Sequence, residues 1–208
     1  MMKSYLMENF GYNEPIFLNE LSVDGLSENA VRQSVKRLVA NGFLERYDHG
    51  IYYIPKREGL LGKSYLDPYF VIMRKYVKNK SETYGYVTGI TFANQLGLTT
   101  QVPAVIEIVT NRESTNGRML AVGNLLVRLK KSTIAVSDDN AELLQLLDGV
   151  GQAEKYTELP MEETIDTMLS YVKQKGFTKE QLAEVSSGLT GATAKKLIEW
   201  GMIYEFTP

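Results

Sequence analysis

The chain has 208 residues, 44% of them hydrophobic and 23% charged, which is ordinary for a globular protein with room for two domains. It has no cysteine, which excludes disulfides, thiolate zinc sites and cysteine nucleophiles. The formal net charge of −2 is unevenly spread: residues 1–63 hold 8 Lys/Arg and 8 Asp/Glu, residues 64–135 hold 9 and 4, and residues 136–208 hold 6 and 13.

Lys3 to Phe10 has the makings of a short helix, broken by Gly11-Tyr12-Asn13-Glu14-Pro15. Proline is tolerated at a helix start, so Ile16 to Leu21 is expected to be a second helix. Ser22-Val23-Asp24-Gly25-Leu26 is the turn after it, with Gly25 able to take positive φ. Ser27 then offers a hydroxyl to a free first-turn amide, and Glu28 suits the positive end of a helix. Val31, Val35, Leu38 and Val39 form one apolar stripe at helical spacing. Asn29, Arg32, Gln33, Lys36 and Arg37 fall largely off it. Asn41-Gly42 ends the helix, with Gly42 at a left-handed cap.

Phe43 to Tyr47 is a strand, Asp48-His49-Gly50 a tight turn, and Ile51 to Ile54 the returning strand, stopped by Pro55. Helix, turn, helix and two-stranded wing in this order predict a winged helix-turn-helix. Gly59 to Lys63 follows as a linker.

Leu66 to Lys78 carries a helix face, and Tyr84 to Gly89 has strand character. Thr91 to Leu96 is a short helix ending at Gly97. Ala104 to Thr110 is a strand, Asn111 to Gly117 a polar loop, and Met119 to Lys131 a second strand region broken by Gly123-Asn124. In the last of these, Leu125, Val127 and Leu129 face one way, Arg128 and Lys130 the other. The tail is all helix. Asp138 or Asp139 caps a helix from Asn140; a second pattern runs from Pro160 to Gly176; Thr178 caps Lys179 to Ser186; and Thr190 starts a final helix through Trp200, with Gly201 at its end. The fold class is thus α+β, with a winged helix-turn-helix over 1–62 and a mixed α/β domain with a helical end over 64–208.

On the predicted recognition helix, Arg and Gln are the side chains that pair with base edges. Arg32, Gln33, Lys36 and Arg37 are therefore candidate base and phosphate contacts, Lys36 or Arg37 being the better suited to phosphate. Asn29 sits near the helix N-terminus, where such helices touch bases. At the wing, Arg46 and His49 are candidate phosphate or minor-groove contacts, although Asp48 and His49 also suit a plain turn. A second candidate surface is basic: Arg74, Lys75, Lys78 and Lys80, joined by Arg112, Arg118, Arg128, Lys130 and Lys131. It reads either as a solvated face or as a nucleic-acid surface. Trp200 with Ile203, Tyr204 and Phe206 reads as core packing. A lone histidine is no metal site, and no nucleophile elbow, phosphate loop or zinc-protease motif is present, so neither enzyme activity nor a cofactor is expected; only metal-dependent carboxylate chemistry stays open. No stretch approaches the ~20 apolar residues of a membrane span, and MMKSYLMENF lacks the apolar run of a signal peptide. A cytoplasmic protein is expected.

Three stretches together resemble a known family: the helix and wing through GIYYIP at 50–55, YGYVTGITFANQLGLTTQVPAVIEIVTN at 84–111, and DNAELLQLLDGV at 139–150. Their order resembles the AbiEi antitoxins of abortive-infection, type IV toxin–antitoxin systems. The resemblance implies an N-terminal winged helix that binds inverted repeats in its own promoter and represses transcription. It also implies a C-terminal domain that counters a nucleotidyltransferase-type toxin without a stable complex. A second reading is a winged-helix regulator whose second domain senses a ligand or dimerises, with no toxin partner, and a third is a protein-interaction module whose helix never touches DNA.

Overall fold

A serine before a helix and a glycine after it organise the N-terminal unit. In the computed structural model, which describes residues 2–58 and 62–208, Ser27 accepts from the Ala30 amide at the start of α2 (Glu28–Ala40). Asn41 caps its end, and Gly42 follows at φ 72°. Val31, Val35 and Leu38 are buried and Val39 packs against them, so the apolar stripe is the inner face. It meets Met2 and Leu6 of α1 (Met2–Asn9), together with Ile16, Leu21, Val23, Leu44 and Ile54.

The helix expected over Ile16–Leu21 does not form. Ile16–Phe17 is a strand, β1, and Leu18–Glu20 a single 3-10 turn. The cause is tertiary: Ile16 and Phe17 pair with Tyr52 and Ile51, and both side chains are buried. The ladder satisfies backbone groups that an isolated turn of helix would leave half-bonded. β2 (Glu45–Asp48) and β3 (Ile51–Tyr53) form the expected hairpin, with a register shift between Arg46 and Asp48 and Gly50 at φ 71°. The sheet order is β1-β3-β2. Of the linker expected at Gly59–Lys63, residues 59–61 lie outside the described residues. Gly62–Lys63 is not linker but a strand, β5, paired with β4 (Arg57–Glu58). The chain divides into two compact units, one through Val71 and the other Ile72–Pro208, the division falling within α3 (Pro68–Tyr76).

In the second unit, β6 (Gly85–Thr88), β7 (Val105–Thr110), β8 (Asn116–Val122) and β9 (Leu125–Lys131) make a four-stranded sheet of order β6-β7-β9-β8. β7 and β9 are parallel; the other pairs are antiparallel. Val87, Ile106, Ile108, Val127 and Leu129 are buried on one face, as alternation predicts. β6 begins at a glycine for a steric reason. A Cβ on Gly85 would lie 2.2 Å from the Tyr76 carbonyl oxygen and 2.7 Å from that of Val109.

α4 (Ile90–Gln95) follows β6 and ends before Gly97, at φ 75°. Four helices then build the main core: α5 (Ala141–Tyr156), α6 (Met161–Lys175), α7 (Lys179–Val185) and α8 (Gly191–Glu199). Asn140, rather than Asp138 or Asp139, stands at the start of α5; its side-chain oxygen accepts from the Ser137 amide. Thr178 and Thr190 cap α7 and α8 as their sequences predict, each through its hydroxyl, and Thr178 completes a reciprocal box with Gln181. Leu143, Leu146, Val150, Met168, Val172, Leu197 and Met202 are buried at the centre of this core. Phe206 is buried there and Trp200 packs against it, whereas Tyr204 is exposed. The fold is α+β, and no described helix is long and apolar enough to cross a membrane.

Candidate nucleic-acid interface

α2 turns three hydrophobic side chains inward, and this fixes what it turns outward. Asn29, Arg32, Gln33, Lys36 and Arg37 are all exposed. Arg32 reaches Glu28 one turn earlier, at 3.6 Å, with both side chains mostly in solvent. An exposed pair of this kind is worth only about 0.3–0.5 kcal/mol, so an anionic ligand displaces it easily. Arg37 folds back along the helix, its guanidinium 3.4 Å from the Gln33 carbonyl oxygen and 3.4 Å from the Ser34 hydroxyl. Both bonds are long, and they hold the side chain extended over the helix surface rather than inside the protein.

At the hairpin turn, the Asp48 carboxylate accepts from the His49 amide at 2.6 Å, and Arg46 donates to the Asp48 carbonyl at 3.3 Å. His49 and Arg46 are exposed. This bond joins the Asp48 side chain to the residue directly after it. It fixes the loop that presents His49. The seven residues thus share one unit and lie on the solvent side of α2 and of the β2–β3 hairpin.

The nine residues of the second candidate surface do not gather in the same way. Arg112 stacks on the Tyr84 ring at 3.5 Å, donates to the Lys75 carbonyl at 3.0 Å and approaches Glu82 at 3.8 Å. It thereby ties the end of α3 to the start of the sheet. Tyr84 adds a hydrogen bond from its hydroxyl to the Arg74 carbonyl. Arg118 pairs with Glu113 at 2.6 Å, while Arg128 and Lys130 both converge on Glu107, each at 3.0 Å. Lys131 points to the other face of β9 from Lys130, because strand neighbours alternate. Lys78, Lys80 and Lys131 are exposed, and Lys75 lies over the Tyr76 ring. Much of the positive charge of the middle segment therefore meets a carboxylate within its own unit.

Two of the acids involved are shaped strongly by their surroundings. Burial works to raise the Glu113 carboxyl. The Thr115 amide and hydroxyl, the Arg118 guanidinium and the Ser114 amide outweigh it and hold the group at about 2. Glu158 accepts from the Thr100 amide at 2.7 Å and from the Gln101 side chain at 3.0 Å, and is likewise held at about 2. It fastens the segment after α5 to the loop after α4. Sequence reasoning singled out neither. Both are lone acids in polar stretches, and their amide partners leave no signature in residue type.

A family model described as a family of unknown function, DUF6088, matches residues 13–177, most of the chain and part of both units. No curated protein matches the chain.

Proposed function

Since the chain belongs to the DUF6088 family, whose function is unknown, we propose its function from its own residues: the N-terminal unit is a winged-helix domain, its second helix reduced to the 3-10 turn Leu18–Glu20, that binds double-stranded DNA, and the protein represses its own promoter. The observation that carries this reading is the outward set of Asn29, Arg32, Gln33, Lys36 and Arg37 on one helix, beside a hairpin that exposes Arg46 and His49. The order helix, strand, short turn, helix, strand, strand, with the first strand paired to the last, gives such a helix a rigid mount. The diameter of an α-helix suits the major groove, where Arg reads guanine and Asn or Gln reads adenine. Lys36, Arg37 and Arg46 meet phosphate, and inverted repeats in the promoter would accommodate two copies. The C-terminal unit takes the second half of the reading and counters a nucleotidyltransferase-type toxin; the three stretches quoted from the sequence support this.

Titration of the full chain against its promoter fragment at several salt concentrations tests the first half. Replacing Lys36 by Ala is expected to weaken binding on all sequences and to reduce the slope of log K against log salt by about 1. Arg32→Ala is expected to cost about 1–3 kcal/mol on the operator and to relax preference at one base pair. Unchanged promoter affinity after Arg32→Ala and Arg37→Ala together overturns the DNA reading. Co-expression with a toxin encoded beside the gene tests the second half: loss of protection in chains truncated after residue 71 is the expected result. One observation favours the ligand-sensing alternative for this unit, namely a partly polar cavity bounded by Tyr86, Asp148 and Thr193.

A further inference from the structure

A carboxylate in the second unit has neutral partners where a cation would be expected. Asp148 lies on α5, on the same side as Leu144 and Gly151. One of its oxygens accepts from the Gln152 side chain at 2.8 Å, and the other accepts from the Thr88 hydroxyl. Thr88 is fully buried, so the carboxylate is held in a fixed orientation from the sheet side. Among the described residues no Lys or Arg pairs with it. Beside it is a cavity of about 150 Å³, whose wall includes Asp148 itself and the hydroxyl-bearing residues Tyr86, Ser132, Thr190 and Thr193. Thr133 and Gly188 also line it, and Ile134, Leu144, Leu147, Val185 and Leu189 form its apolar part.

The chemistry of this wall is selective. Asp148 is half-buried, and the Thr88 and Gln152 side chains that bond to it are neutral. Two hydrogen bonds also leave it with further acceptor sites. Burial, and next the charge of Asp148, push the Tyr86 hydroxyl above its usual range, so it stays protonated at neutral pH. Thr190 and Thr193 bond to each other at 3.0 Å, and Thr193 is buried. A positively charged group with several N–H donors matches a carboxylate flanked by hydroxyls. The apolar residues of the wall match a short hydrocarbon chain, which a bare alkali ion lacks. A cavity near 150 Å³ accommodates roughly the bulk of benzene, so a group of about six heavy atoms fills it.

We propose that this cavity is a binding site for a small protonated primary amine, with Asp148 as its counter-ion and the Tyr86, Thr190 and Thr193 hydroxyls as secondary partners. The site does not depend on the DNA-binding reading, because every residue in it belongs to the second unit. The test is calorimetric titration of the full chain with n-propylammonium chloride, against potassium and sodium chloride at matched ionic strength. Saturable binding of propylammonium alone is expected, with shifts of the backbone amide signals of Thr133, Leu189, Thr190 and Thr193. Asp148→Asn is expected to weaken binding by about tenfold or more, the scale of a hydrogen bond to a charged group. The amide shifts are read on the unaltered chain, so they decide the matter even if that variant folds poorly. Equal response to potassium chloride, absence of saturation, shifts confined to other parts of the chain, or undiminished binding by a folded Asp148→Asn variant each overturn the proposal.

Discussion

Gly85 shows how much a single position can demand. Its φ is unremarkable, so the need for glycine is purely one of space. Two carbonyl oxygens stand where a Cβ would go, at 2.2 Å and 2.7 Å, and both belong to backbone. Gly85→Ala is expected to cost about 3 kcal/mol or more, read as a fall in the thermal midpoint, because backbone cannot swing aside as a side-chain end does. Glu113 supplies a second test. Its carboxyl is held at about 2 in the folded chain against an ordinary 4.5, so the charged form is favoured by folding. That contribution is complete above pH 4.5 and is lost as pH falls towards 2. Urea midpoints measured across that window are expected to fall less steeply in Glu113→Gln than in the parent chain, and the variant is expected to be less stable at neutral pH.

At the scale of elements, those whose cause is local were readable from the sequence. Ser27, Thr178 and Thr190 cap their helices by bonds to residues three positions on, and that spacing is visible in the chain. The β2–β3 hairpin and the β8–β9 turn carry their glycines in place. Ile16-Phe17 was misread because its strand exists only by virtue of β3, more than thirty residues downstream in the chain. The seven residues of the N-terminal candidate interface were readable too, since a buried stripe fixes its complement. Asp148 was not singled out, although an acid one residue after Leu147, on the edge of a leucine-rich stripe, was the available signal. In the basic middle segment the excess charge is evident in the sequence, but the pairing with Glu107 and Glu113 is not. An element-level prediction follows for Arg74, Lys75, Lys78 and Lys80. Replacing all four by Ala in the full chain is expected to leave promoter affinity within about twofold, as for charges outside the contact surface. A loss like that of the α2 variants, in the same titration, would make this segment part of the interface.

For the molecule as a whole, the sheet order has a kinetic consequence. β9 sits between β7 and β8, although it comes after both in the chain. The five residues between β7 and β8 must therefore pass over the end of a strand not yet synthesised when they emerge. Glu113 holds their amides, and the Lys131 amide closes on the Thr115 carbonyl. The β8–β9 hairpin is local, closed by Gly123 at φ 57° and Asn124, whereas the parallel β7–β9 pair is not. Local pairs form in microseconds and distant ones wait on loop closure. The hairpin should thus assemble first and dock as a ready-made unit, with β9 as its leading edge. Gly123→Val is expected to slow refolding severalfold and leave the unfolding rate nearly unchanged, which stopped-flow fluorescence from Trp200 can follow. A ribosome-bound chain that ends before residue 131 has no partner for the exposed flank of β7, and until those last residues clear the exit tunnel that flank is the nascent protein's most vulnerable edge.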